Sequence, residues 1–164
     1  MEAYPDQAGD TTFVASNTLE VVRGYHECYD HTPANPDFLL QDVDVADYDA
    51  ILFVGDDSAV TILHRHDQTH RIAREATQQG KVIGALGDGP VILAYAGVLA
   101  GKTVNVLRNH RILGVTDQWF NAIEKNGAIY TDRSPVRDGL LITADFVTIE
   151  FVWGIIEAMD EQFQ

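Results

Sequence analysis

Two apolar runs stand out in the hydrophobic pattern of the chain. The first covers residues 50–54, and the second covers residues 81–86, in which only Lys81 is charged; each is followed by a glycine. Runs of this kind are typical of strands buried on both faces, as in parallel sheets. Shorter β-prone runs cover residues 12–16 and 103–107.

Segments with helical spacing of apolar residues separate these strands. In residues 67–79, Ile72, Ala73 and Ala76 fall on one face of a helix that Gly80 ends. Further helices are predicted over residues 91–99 with Gly101 as the cap, over 118–125 and over 146–163.

The alternation of strands and helices predicts the fold class. Residues 19–29 are expected to form an irregular hairpin or a flap. The runs 128–130 and 140–143 flank Asp138-Gly139, a pair that favours a tight hairpin. The whole pattern predicts an α/β fold in which helices flank both faces of a mostly parallel sheet. A chain of 164 residues suits one core, so we expect a single domain over residues 1–164.

The net charge of the chain excludes some classes of binding partner. Eleven basic and 25 acidic side chains give a formal net charge of −14 at pH 7. Non-specific nucleic-acid binding requires a basic face, and anionic lipid repels an acidic protein, so we expect neither nucleic acid nor membrane as a partner. The Asp-rich, Lys-poor composition fits an ordinary acidic protein, and adaptation to high salt is the alternative.

Cysteine usage and the first residues bear on the compartment. Cys28 is the only cysteine, which excludes an intrachain disulfide. Residues 1–6 have neither the basic start nor the apolar run of a signal peptide, and no stretch approaches the ~20 apolar residues that span a bilayer. We therefore expect a cytoplasmic protein.

The turn after the second apolar run is the leading candidate for a binding site. Residues 87–89 are Gly-Asp-Gly, and Pro90 follows at the start of a helix. Ligands of open α/β sheets bind at the carboxyl ends of strands, where helix N-termini offer free N–H groups. A plain β–α turn is the alternative. The predicted ligand-binding residues are Gly55, Asp57, Gly87 and Gly89.

Three carboxylates, those of Asp56, Asp57 and Asp88, follow the same two strand ends. Together they could hold Mg²⁺ or Ca²⁺, or keep one carboxyl protonated for acid–base chemistry. We take Asp88 as the candidate base or nucleophile and Asp56 as its partner. The alternative is that each caps a helix or faces solvent. We expect no organic cofactor, and a divalent metal ion is the one cofactor that these carboxylates could bind.

A histidine cluster offers a second candidate metal site. His66 and His70 are four residues apart and so share a helix face, and His64 lies close by in sequence. These three side chains are the predicted metal ligands. The alternative is that they are solvated histidines at the start of a helix.

Residues 47–55 and 80–102, together with the ending Asp-Gly-Leu-Leu-Ile-Thr at 138–143, resemble the ThiJ/PfpI family. This family includes Parkinson disease protein seven and belongs to the class I glutamine-amidotransferase-like superfamily. The resemblance covers roughly residues 12–160, with residues 80–102 as its most specific part. It implies a flavodoxin-like sandwich that assembles as a homo-oligomer, a dimer or larger.

The chain departs from the family pattern at the site itself. Family members commonly have Ala-Ile-Cys-His-Gly-Pro at the turn, with the cysteine as nucleophile; here Gly87 takes the position of the cysteine and Asp88 that of the histidine. A glycine has no side chain with which to attack. The usual Pro-Gly-Gly after the first buried strand is Val54-Gly55-Asp56, and a carboxylate there would repel an oxyanion.

The front of the chain departs as well. Family members open with a strand and a helix that carries a glutamate activating the thiol, whereas only eleven residues precede Thr12 here. We therefore expect the fold to lack this strand and helix. The interior slot that they leave would mean a truncated copy, tight oligomerisation in which a neighbouring subunit fills the slot, or a rearranged sheet, and we favour the last two.

Three hypotheses of function follow. The first is a ThiJ/PfpI-like protein that has lost cysteine-dependent catalysis and keeps a small-ligand pocket or an assembly role. The second is a hydrolase or lyase that acts through carboxylates on a small carbonyl, amide or ester compound. The third is a metal-binding module that uses the histidine cluster.

Overall fold

The computed structural model describes residues 11–22, 33–55, 57–107 and 116–162. The chain forms two compact units, Met1–Asp44 and Val45–Gln164. The predicted single domain over residues 1–164 stays a prediction.

The first unit contains a short parallel pair of strands. Strand β1 (Ala15–Ser16) pairs with β2 (Phe38–Leu39), and the rings of Phe13 and Phe38 lie 5.7 Å apart between centroids. An antiparallel bridge joins Val22 to Ala34, while most of the hairpin predicted over residues 19–29 lies outside the described residues. The strand predicted over residues 12–16 is therefore reduced to its last two residues.

The second unit alternates strands and helices. Its elements in chain order are β3 (Ala50–Gly55), α1 (Asp57–Leu63), α2 (Asp67–Gln78), β4 (Val82–Gly87), α3 (Gly89–Ala96), β5 (Thr103–Val104), α4 (Thr116–Lys125), β6 (Ile129–Tyr130), β7 (Val136–Asp138), β8 (Leu141–Ala144) and α5 (Ile149–Gln162). The main sheet has the order β3-β4-β8-β7, with β7 alone antiparallel, and β5 pairs in parallel with β6.

Helices cover both faces of the main sheet, as the sequence predicted. Side chains alternate along β4, so that Val82 joins a buried cluster with Phe151 and Ile155 of α5, whereas Ala85 lies towards the start of α3. Gly84 leaves room for α5, because a Cβ there would lie 2.9 Å from Cδ1 of Ile155 and would collide with Leu52. The predicted α/β fold is confirmed.

Strand β3 is less buried than its apolar sequence predicts. Leu52 is 43% exposed and Val54 is 58% exposed. Helix α5 packs on β4 and β8, and in the part of the second unit that the structure describes β3 pairs with β4 alone. The prediction that this run is buried on both faces is therefore wrong.

Several element boundaries also differ from the predictions. The hairpin around Asp138 and Gly139 joins β7 to β8, whereas residues 129–130 pair in parallel with β5. Helix α3 ends at Gly97, whose φ of +79° and N–H bond to the carbonyl of Ala94 form the cap, rather than at Gly101. Helix α1 was not predicted, because its seven residues are too few for a helical period to be recognised in the sequence. None of the helices in the described residues has the length and the apolar sequence that spanning a bilayer requires.

Asp138 fixes the hairpin to the neighbouring strand. Its carboxylate accepts hydrogen bonds from the backbone N–H of Thr103, at 2.8 Å, and from Nζ of Lys102, at 3.1 Å. The Thr103 N–H, followed by the Lys102 ammonium, lowers the pKa of Asp138 below its ordinary value of 3.8. The charged form of Asp138 therefore stabilises the folded chain.

We expect Asp138→Asn to lower the free energy of unfolding by about 1 kcal/mol at neutral pH, because the half-exposed Lys102 adds little to the hydrogen bonds. The stabilisation by the carboxylate is complete above its ordinary pKa and is lost as the pH falls through its lower folded pKa. Urea unfolding should therefore show the variant and the parent converging in acid. Asp160→Asn, at an exposed position of α5, is the control; a gap that persists in acid would contradict this account.

Candidate functional site

The turn between β4 and α3 brings three backbone segments together. Gly87 has a φ of +67°, a left-handed conformation that favours glycine. The N–H of Asp88 donates to the carbonyl of Gly55 at the end of β3, at 2.9 Å. The N–H of Leu107, three residues after β5, donates to the carbonyl of Gly87 at 3.1 Å. The carboxyl ends of β3 and β4 and the chain after β5 thus meet at this turn.

The glycines of the turn allow a close approach of backbone. A Cβ on Gly87 would lie 2.7 Å from the carbonyl oxygen of Gly55, and a Cβ on Gly89 would collide with the carbonyl oxygen of Phe53. Side chains of any size are therefore excluded at both positions in this conformation. Gly55, Gly87 and Gly89, three of the predicted ligand-binding residues, therefore lie close together. In the structure, Gly87 and Gly89 allow the ends of β3 and β4 to lie side by side.

Asp88 is buried at the start of α3, with only 4% of its surface exposed. It occupies the N-cap position, but its side chain forms no capping hydrogen bond. Neither alternative for this residue, a helix cap or a solvent-facing carboxylate, agrees with this geometry. Asp56 lies outside the described residues, and for Asp57 the structure describes only the backbone, at the first residue of α1. Convergence of the three carboxylates therefore stays a prediction.

A buried polar pair near this turn was missed by the sequence reasoning. Asn105 follows β5, is buried, and donates its backbone N–H to Oγ1 of Thr143 at 2.8 Å. Its Nδ2 donates to the carbonyl of Thr131 at 3.1 Å, whereas its Oδ1 is buried without a partner among the described residues. The available signal was a single amide within the otherwise β-prone run 103–107.

The first residue of the histidine cluster, His64, packs among other side chains. Nδ1 of His64 lies 2.7 Å from the carbonyl oxygen of Val60, and a carbonyl can only accept, so Nδ1 carries the hydrogen. The ring packs edge-on against Tyr95 and Trp119, each at 4.8 Å between centroids. His64 is therefore buried rather than solvated, which corrects the expectation of a solvated histidine.

The other two histidines also have contacts of their own, and the three histidines as metal ligands stay a prediction. Nε2 of His70 lies 2.7 Å from the backbone carbonyl of His64, and Nδ1 of His66 is buried without a partner among the described residues. In that part of the chain, no group of three or more His, Cys, Asp or Glu side chains is arranged to hold a metal ion. Of the predicted metal ligands, His64 and His70 therefore each direct one ring nitrogen at a backbone carbonyl.

Comparison with known proteins adds the family. The DJ-1/PfpI family model matches residues 5–158. An uncharacterized protein of Methanocaldococcus jannaschii is 34% identical over 105 residues, which cover 64% of this chain and 48% of that protein, so the match spans about half the relative's length. The deglycase PfpI of Pyrococcus furiosus is 25% identical over 147 residues, covering 90% of this chain and 80% of the relative.

A solved structure supports the same fold. The ThiJ/PfpI domain protein from Brachyspira murdochii superposes with a TM-score of 0.81 at 22% identity, covering 95% of this chain and 83% of that one. At this identity the likeness bears on the fold alone, which is flavodoxin-like. Members of the family generally have no cofactor. The match over nearly the whole sequence confirms the resemblance found in residues 80–102: the chain belongs to the DJ-1/PfpI family.

Proposed function

We propose that this chain is a DJ-1/PfpI protein without catalysis by a cysteine at the turn after β4, and that the turn instead binds a small ligand. The observation that carries the proposal is the geometry of Gly87. By the family resemblance, Gly87 corresponds to the cysteine nucleophile. Its backbone is left-handed, and a Cβ at this position would lie only 2.7 Å from the Gly55 oxygen, which leaves no room for a side chain.

The chemistry of the position supports loss of the covalent step. A thiolate must be present to attack a carbonyl carbon, and glycine offers no atom beyond Cα. The side chain of Asp88 next to it brings no positive charge of its own that could stabilise an anionic intermediate. A neutral or cationic small molecule suits this turn better than an anion.

A carboxylate-dependent enzyme is the second candidate, and the burial of Asp88 favours it. A buried carboxyl that does not cap its helix can serve as a base or nucleophile, with Asp56 as its proposed partner. The relative from Pyrococcus furiosus is named a deglycase, which would make a small carbonyl compound the substrate class to test here.

We also infer that the chain forms a homo-oligomer. Members of the family commonly form oligomers. The exposed Leu52 and Val54 of β3 support association, because apolar side chains that are open to solvent are favourably covered by another surface. The size of the assembly is measurable by sedimentation.

A matched pair of substitutions tests the geometry of Gly87. Gly97 has a similar φ of +79°, but a Cβ there would meet nothing within 4 Å. We expect Gly97→Ala to cost about 1 kcal/mol, the penalty of a left-handed alanine. Gly87→Ala should cost at least about 2 kcal/mol more, because its Cβ must also displace the Gly55 carbonyl. Equal losses in urea unfolding would show that position 87 has room for a side chain.

Activity assays distinguish the two candidate functions. The parent, Asp88→Asn and the parent with Cys28 alkylated by iodoacetamide would be assayed with methylglyoxal, a nitrophenyl ester and a nitroanilide. We expect all three proteins to match the buffer rate, and saturation-transfer NMR to detect acetamide bound to the parent more strongly than to Asp88→Asn.

Each other outcome has a distinct meaning. Turnover by the parent that Asp88→Asn abolishes would replace the binding proposal by the carboxylate enzyme. Turnover that alkylation abolishes would place the chemistry on Cys28 and contradict both candidates. Asp160→Asn, with the same change of charge at an exposed position, controls for the effect of net charge.

A further inference from the structure

Helix α5 carries an apolar ridge on its outer side. Phe151, Ile155 and Ala158 face the sheet and are buried. Phe146, just before the helix, and Ile149 and Trp153 within it are 59%, 56% and 53% exposed. Ile149 and Trp153 are four residues apart and so lie on one side of the helix, and Phe146 lies just before its first turn; we call these three residues the α5 ridge.

The α5 ridge has an acidic border. Residues 145–162 contain no Lys or Arg and five carboxylates: Asp145, Glu150, Glu157, Asp160 and Glu161. Glu150 lies three residues before Trp153 and Glu157 four residues after it, so both carboxylates lie beside the exposed indole. Glu161 forms an ion pair with Arg137 of β7, at 2.6 Å, and the same guanidinium also attracts Glu157 from a longer distance. Among the described residues, no Lys, Arg or His lies within ion-pair distance of Glu150 or Glu157.

Charge decides which partner fits this surface. A second copy of the chain that docked through this same surface would bring its own carboxylates against Glu150 and Glu157. An anionic bilayer would be repelled in the same way. A segment with apolar and basic side chains on one helical face satisfies both the exposed rings and the carboxylates.

We propose that the α5 ridge docks a cationic amphipathic helix of another protein. Trp153 is the main contact, because a large exposed aromatic side chain is the kind of residue that contributes most to binding at an interface. Glu150 and Glu157 orient the partner and speed its association. This role uses a different part of the chain from the turn after β4, so it is independent of the proposed function.

The test uses three labelled synthetic helices as probes, with binding measured by fluorescence anisotropy. One combines a leucine face with lysines, one has the same lysines with serine in place of leucine, and one has the same leucines with glutamate in place of lysine. We expect only the leucine–lysine helix to bind, with an affinity that falls as salt is raised.

Variants then locate the site. Trp153→Ala should weaken binding at least about tenfold, and Ile149→Ala should weaken it to a smaller extent. The double change Glu150→Gln and Glu157→Gln should weaken it several-fold and reduce its salt dependence. Ile129→Ala, at an equally exposed isoleucine of β6, is the matched control and should bind as the parent does. Circular dichroism checks that each variant is folded.

Four results would overturn the proposal. Equal binding of the serine–lysine helix would reduce the effect to net charge, and unchanged binding by both Trp153→Ala and Ile149→Ala would move the site elsewhere. A dimer in sedimentation that Trp153→Ala dissociates would make a second copy the occupant of the ridge. Binding to anionic vesicles that depends on Trp153 would assign the ridge to a membrane instead.

Discussion

The close approach of two backbones at the end of β3 and β4 governs the rest of the site. Asp88 donates its N–H to Gly55, and the space that a side chain on Gly87 would need is filled by the Gly55 carbonyl. This contact fixes where α3 begins, holds Asp88 in a buried position, and leaves the chain after β5 to bond to the Gly87 carbonyl. The glycine at position 87 is thus required by the way the two strands pack.

The elements that local pattern determines were predictable from the sequence. Strand β4 and helix α2 were placed within a residue or two, because a continuous apolar run and a helical stripe ending in glycine are strong signals. The turn at residues 87–89 was found for the same reason. Its Gly-Asp-Gly sequence already indicated an unusual backbone conformation between a strand and a helix.

Features set by neighbours in space were not predictable. The apolar run of β3 gave no sign that Leu52 and Val54 would be exposed, because that depends on how far α5 extends across the sheet. Residues 129–130 were expected to pair with residues 140–143, whereas they pair with β5. All of these strands are short and apolar, so the sequence does not distinguish between the two partners. The burial of His64 depends on Tyr95 and Trp119, which are distant in sequence, so spacing suggested metal ligation where ring packing is found.

The position of His64 has a consequence for how the helical layer opens. Its ring contacts α3 through Tyr95 and α4 through Trp119, its Nδ1 bonds to Val60 of α1, and its carbonyl accepts from His70 of α2. Four helices therefore share one residue as a junction. Helices coupled in this way exchange their amide hydrogens through a common opening, so α1 to α4 would respond as one cooperative unit while the hairpin of β7 and β8 opens on its own.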